Sequence, residues 1–121
     1  MERTLQRIPL LRKAEGISPP PAFPATKTAI TIPAHTTAVL LLDQTYLTNA
    51  YITLNFSGGK GAAMSLMYAE ALFDNLSRFG PRKGNRNDVE GKDFAGRRDS
   101  IISVSYTHLA VAAVVCCCDC E

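Results

Sequence analysis

Glu70 and Asp74, two acids four residues apart, come nearest to a paired-carboxylate site in this 121-residue chain. On a helix they would share a face, and on a strand a side. Hydrolysis of a glycoside by two acids needs carboxyl groups facing each other across a cleft, about 5 to 9.5 Å apart, usually from different segments. Glu70 would therefore need a distant partner, and a solvated or hydrogen-bonded glutamate is the commoner state of such a residue. Asp43, His35 and a serine supply the residue types of a nucleophilic triad, but no strand–turn–helix elbow surrounds any serine. A lone histidine beside a strand is more often a surface or turn residue than a ligand. Ser57-Gly58-Gly59-Lys60-Gly61 has the glycines and the lysine of a phosphate cradle. It lacks the full glycine spacing and the Ser or Thr that follows the lysine, so a tight turn is the better reading.

Two further clusters could bind rather than react. Between Asn75 and Ser100 seven basic residues (Arg78, Arg82, Lys83, Arg86, Lys92, Arg97, Arg98) stand against four acids (Asp88, Glu90, Asp93, Asp99). Arginine and asparagine donors suit sugar hydroxyls and carboxylates. The competing readings of 78–99 are docking on a neighbouring domain, which ranks first, and a charge-balanced solvated surface. Only Phe79 and Phe94 interleave these charges, too few aromatics for single-strand nucleic-acid binding. All four cysteines (Cys116, Cys117, Cys118, Cys120) fall in the last six residues. Adjacent cysteines reach one zinc ion awkwardly, since tetrahedral thiolate sites use spaced pairs. The cluster also closes no loop, so it is no disulfide framework. No residue earns a catalytic, substrate-binding or metal-ligating role on these grounds, and no cofactor is expected.

The elements that would position these residues read as strands. Residues 1–26 form an extended, proline-rich segment: Met1 to Lys13 is basic and irregular, and Pro19-Pro20-Pro21 with Pro24 reads as a polyproline-type connector. Its other use would be as a ligand for a proline-recognising domain. From Lys27 the β-branched run to Ile32 predicts a strand ending at Pro33, followed by a turn at Pro33-Ala34-His35. Thr36 to Gln44 predicts a second strand, and its apolar centre, Val39-Leu40-Leu41-Leu42, predicts burial on both faces. A polar bend over Asp43 to Asn49 leads to Ala50–Ser57. There Tyr51, Thr53 and Asn55 alternate with Ile52, Leu54 and Phe56, the mark of a half-buried strand.

Ala62 to Leu76 is ambiguous. Its alanines, leucines, methionines and glutamate favour helix. The glycine turn before it favours a returning strand over Ala62–Ala71, with Met64, Leu66, Tyr68 and Leu72 on one face. Asn75 to Ser100 reads as a long polar loop or a set of turns, and Ile101-Ile102 as the start of another strand. Tryptophan is absent, the net charge is +2, and hydrophobic residues make up 46%. A charge this small gives no ground for nucleic acid or a membrane surface as partner. Met1–Leu11 carries Glu2, Arg3 and Arg7 and has no apolar run, so it is no signal peptide. The longest apolar run, Leu109–Cys118, is about half of a membrane span.

Taken in order, Asp43 to Tyr51, Phe56 to Gly61, Tyr68 to Leu72 and Lys83-Gly84-Asn85-Arg86-Asn87-Asp88-Val89-Glu90-Gly91-Lys92 resemble the β-sandwich region of bacterial alpha-L-rhamnosidases. The likeness runs from about Arg7 to Ile102. It implies an all-β fold, an incomplete antiparallel β-sandwich of jelly-roll type over 27–103. Similar enzymes remove terminal α-L-rhamnose with inversion, using a general acid and a general base on a later (α/α)₆ barrel. None of those carboxylates maps onto a position here. The resemblance thus implies a truncated, non-catalytic part of a glycoside hydrolase, with the parent's barrel as partner and rhamnose-containing glycans as its substrates. The alternative is a stand-alone carbohydrate-binding module. The parent's cellular address is left open, and a periplasmic or extracellular one would fit. Val104-Ser105-Tyr106-Thr107-His108-Leu109 resembles translated read-through of a sequencing adapter, so 104–121 is expected to be a non-native tail. The low-complexity run that follows agrees with this.

Overall fold

The structure, a computed structural model, describes residues 4–75, 82–104 and 115–116. Among them all regular structure is strand: β1 (Leu10–Glu15), β2 (Val39–Asp43), β3 (Ala63–Tyr68), β4 (Phe73–Asn75), β5 (Arg82–Lys83), β6 (Arg97–Ile102) and β7 (Val115–Cys116). Antiparallel pairing joins β1 to β2, β3 to β6, and β4 to β5, while β7 lies parallel to β3 at Met67 and Tyr68. The expected all-β character holds for the described residues. The remainder of the tail, including His108, Cys117, Cys118 and Cys120, lies outside them, as do Met1 to Arg3 and residues 76–81 with Arg78 and Phe79.

Strand β1 falls where an irregular segment was expected. Its ladder pairs Leu11 with Leu42 and Lys13 with Leu41, so Arg12 is an extra residue, a β-bulge. The bulge resets the alternation. Leu11 and Ala14, three residues apart, then oppose the buried Leu42 and Leu40 and pack on the same core. At the end of β1 the chain turns at Gly16, whose φ is +82°; a Cβ there would overlap the Thr37 carbonyl oxygen. Only glycine meets both demands.

Strand β2 is buried on one face, not two. Leu40 is 0% exposed and Leu42 3%, whereas Val39 between the expected layers is 46% exposed. The apolar run is continuous, but on the other face Val39 is exposed and Leu41 only partly buried. Leu40, Leu42 and Leu66 of β3 form the core cluster, ringed by Ile8, Phe23, Ile30, Ile52 and Leu54 among others.

Strand β3 covers most of the expected strand over Ala62–Ala71. Met64 and Leu66 are buried, and Leu72 beyond the strand end is buried as well. Packing of this alternate set overrides the helix propensity of the same residues. Its partner is β6, not the preceding segment. The glycines of the 57–61 turn do take positive φ (Gly58, Gly59 and Gly61). The turn, however, delivers the chain to Ser103: the Gly61 N–H donates to the Ser103 carbonyl at 2.7 Å, and the Ser103 N–H donates to that of Ala62 at 2.9 Å. Those bonds extend the β3–β6 ladder, so Ile101 and Ile102 end a strand that began inside the expected loop.

Two expected strands are absent as ladders. Lys27–Ile32 and Ala50–Ser57 both belong to no strand. Their burial still alternates: Ile30 and Ile32 are more buried than Thr31, and Ile52 and Leu54 more than Tyr51, Thr53 and Asn55. The side-chain pattern is that of a strand, while β1 takes the edge of β2 and β6 the edge of β3.

Candidate functional site

The acids singled out by type are already engaged. Asp43 closes β2, and its Oδ1 accepts the Thr45 N–H at 2.7 Å. Its Oδ2 accepts from Arg12 Nη1 at 3.1 Å. Because Arg12 is the bulged residue of β1, it reaches further: Nη2 donates to the Asn87 carbonyl at 2.7 Å. One guanidinium therefore ties β1, the end of β2 and the 85–88 turn together. That turn is set locally, with Asn85 Oδ1 accepting the Asn87 N–H at 3.0 Å and the Asn85 carbonyl accepting the Asp88 N–H at 3.0 Å.

Glu70 sits in the bend after β3, and its Oε2 accepts from Lys83 Nζ on β5 at 2.6 Å. This hydrogen bond, then the lysine's charge, holds the Glu70 carboxyl below the ordinary glutamate range. Asp74 belongs to β4 and pairs with Lys92, whose ammonium also reaches Asp88 at 3.3 Å. Glu70 and Asp74 thus belong to different lysines. Asp74 and Asp88 raise the Lys92 pKa, the Asp74 hydrogen bond most.

A small cleft of about 30 Å³ is lined by Asp43 and Glu70 together with Arg12, Arg86, Leu72 and Phe94. A space of that size holds about two waters. A sugar ring cannot enter it. A general acid also needs a carboxyl raised toward neutrality, and Glu70 is shifted the opposite way. The arrangement fixes loops, each carboxylate being held by a cationic side chain of the same chain.

The other candidates resolve similarly. His35 is exposed in the Ala34–His35 turn with φ of +59°, and both Asp43 oxygens are committed elsewhere. Ser103 is 1% exposed and its Oγ donates to the Gly58 carbonyl at 2.6 Å. The 57–61 loop therefore closes on β6, and its Gly61 N–H is spent there. In the 78–99 stretch, Lys83 and Lys92 fold back onto Glu70 and Asp74 of the same chain, and Arg82, Arg86, Arg97 and Arg98 stay exposed. Among the described residues no group of three or more His, Cys, Asp or Glu could hold a metal ion, and no helix is long and apolar enough to cross a membrane.

Sequence reasoning missed an open concavity. An open groove of about 1120 Å³ runs between the 4–8 segment, the 23–30 segment and residues 44–57. Leu42 and Met64 form part of its floor, and Tyr46, Asn49, Tyr51 and Asn55 are among its walls. Tyr46 donates its hydroxyl to Gln6 Oε1, which joins two of those walls. Arg7 is the one charged side chain among its described lining residues, and no carboxylate lines it. The alternation over 51–55 pointed to an outward polar face, but not to what that face would border. Comparisons with protein-family models, curated proteins and solved structures return no match for this chain.

Proposed function

We propose that the chain is a non-catalytic β-sandwich region of an alpha-L-rhamnosidase, serving as scaffold beside the helical barrel whose carboxylates cleave the sugar. The ordered residue blocks from Asp43 to Lys92 motivate the family. The observation that carries the non-catalytic role is the disposition of the acids. Asp43, Glu70 and Asp74 are each bound by a cationic side chain, and the groove of about 1120 Å³ has no carboxylate among its described lining residues. An inverting glycosidase needs one acid to protonate the leaving oxygen and another to activate water. Purified chain mixed with a nitrophenyl α-L-rhamnoside is expected to release no nitrophenol above buffer. Release that disappears in Glu70→Gln or Asp43→Asn would refute this reading. Sequencing of the source DNA on both sides is expected to reveal a barrel bearing an acid pair.

The groove favours a second reading, a module that binds neutral sugar. Tyrosine rings beside amides and hydroxyls suit an uncharged polyhydroxylated ring, and a deoxyhexose such as rhamnose brings no charge for Arg7 to answer. Calorimetry with rhamnose separates the two readings, since a scaffold alone gives no binding heat.

A further inference from the structure

We infer that Gln44 is the recognition residue of the open groove, its amide reading two adjacent hydroxyls of a neutral pyranose; this rests on the reading of that groove as a neutral-sugar site. Buried positions recur at every second residue along β2 and just beyond it: Ala38, Leu40, Leu42 and Gln44. At the fourth of them the pattern calls for an apolar side chain, and the sequence supplies an amide that is only 6% exposed. The side-chain amide makes no hydrogen bond to any described residue. Burying such a group unpaired works against the fold. Gln44 lines the groove together with Leu42 and Met64 of its floor. The unspent donors and acceptor of Gln44 therefore serve the groove and not the packing.

The local backbone fixes where Gln44 stands. Thr45, the next residue, has φ of +71°, a conformation that β-branched residues rarely adopt. The Asp43 carboxylate holds it there by accepting the Thr45 N–H at 2.7 Å, and Arg12 in turn holds the carboxylate. Across this corner Tyr46 also lines the groove, but its hydroxyl is spent on Gln6. Among the described lining residues Gln44 is the one buried polar side chain. A primary amide sets a carbonyl acceptor beside two N–H donors. Two hydroxyls on neighbouring ring carbons match it: one donates to Oε1, and the other accepts from Nε2. The C–H face of the same ring suits Ile52 and Leu54, partly buried residues that also line the groove. Charge agrees, since no carboxylate is among the described lining residues and Arg7 donates to the Thr26 carbonyl at 3.4 Å.

The test uses the full chain, with reductant to keep its cysteines as thiols. In nitrogen-15 spectra, titration with L-rhamnose is expected to shift the Gln44 side-chain amide resonances to saturation. Tetrahydropyran-4-ol, a similar ring with a single hydroxyl, is expected to leave them in place at the same concentrations. Gln44→Leu restores the apolar alternation, so it is expected to melt no lower than the native chain. It is also expected to bind rhamnose at least about tenfold more weakly, the loss of two hydrogen bonds. Rhamnose binding that leaves the Gln44 amide unmoved, or that is as tight in Gln44→Leu, would overturn the inference while the sugar-site reading stands. A lower melting temperature in Gln44→Leu would overturn it too, by showing that the amide serves the fold. A native chain that binds no rhamnose would overturn both. The amide titration on the unaltered chain decides the matter even if the variant does not fold.

Discussion

Leu40→Ala and Val39→Ala probe adjacent residues of one strand and should behave very differently. Leu40 is fully buried at the centre of the Leu40–Leu42–Leu66 cluster, while Val39 is about half exposed on the opposite face. Truncating a buried leucine removes its transfer free energy and leaves a cavity, together about 3–5 kcal/mol. Val39→Ala removes two methyl groups that are half in water already. At ~0.8 kcal/mol per fully buried carbon, that is about 0.8 kcal/mol. Against a total stability of about 5–15 kcal/mol for a domain, the first change is severe and the second slight. Each kcal/mol moves the midpoint of a domain this size by about 4–8 °C. Leu40→Ala should therefore lower the melting temperature by about 12 °C or more, and Val39→Ala by about 3–6 °C. Urea titration with an unchanged slope would show that stability, not compactness, had shifted. Equal losses in the two variants would mean that β2 is covered on both sides. A loss below about 1 kcal/mol in Leu40→Ala would remove the cluster itself from the core.

The remaining predictions concern single contacts. In Gly96→Ala the new Cβ would overlap the Tyr68 carbonyl oxygen at the end of β3, so a loss of roughly 1–3 kcal/mol is expected by denaturant titration. Ser65 Oγ is buried with no hydrogen-bond partner among the described residues, and Ser65→Ala is expected to be neutral or to stabilise by about 1 kcal/mol, since a desolvated orphan hydroxyl is removed. The folded-state pKa of Glu70 is lowered by Lys83, so its contribution is present above the ordinary value near 4.3 and fades as pH falls through the folded value. The melting-temperature gap between the native chain and Lys83→Met should accordingly close below about pH 4, and a gap that stays constant down to pH 2 would show that the pair is not its source.

Much of the fold was legible where the local pattern and the packing agree. The glycine turn before β3 pointed to a strand against helix propensity, although that strand pairs with β6 and not with the segment before the turn; burial of Met64 and Leu66 outweighs the weak local preference. The glycines at 58, 59 and 61 announced their turn through φ alone. Strand β1 was hidden for a physical reason. Its bulge at Arg12 breaks the two-residue period, so Leu11 and Ala14 look out of phase until the partner strand is known. The one-sided burial of β2 was hidden for another: four apolar residues in a row read the same whether one or two layers cover them. Residues 50–57 displayed their alternation faithfully, yet alternation reports which side faces the core and says nothing about a laddered neighbour. The candidate site was the least legible. Its ion pairs join residues 13, 18 and 31 positions apart, and no local pattern encodes such partners.

The bulge connects the fold to the functional reading. In a regular strand Arg12 would either face the core or take its place in the ladder. As an extra residue it stands outside the pairing and reaches Asp43 and the Asn87 carbonyl together. The same guanidinium that fastens the 85–88 turn to the first sheet also occupies the acid nearest to Glu70's cleft. Glu70 and Asp74 are spent in the same way, on lysines from the segment that follows them. A catalytic acid has to stay available to a substrate and tuned to give up or accept a proton near neutrality. Here the acids hold a polar segment against small sheets. That use explains why Lys83 and Lys92 sit beside Glu70 and Asp74, while the groove has no carboxylate among its described lining residues. It also makes chemistry and support competing uses of the same carboxylates. The proposed non-catalytic reading rests on that competition, since Asp43, Glu70 and Asp74 are held by Arg12, Lys83 and Lys92 of the same chain.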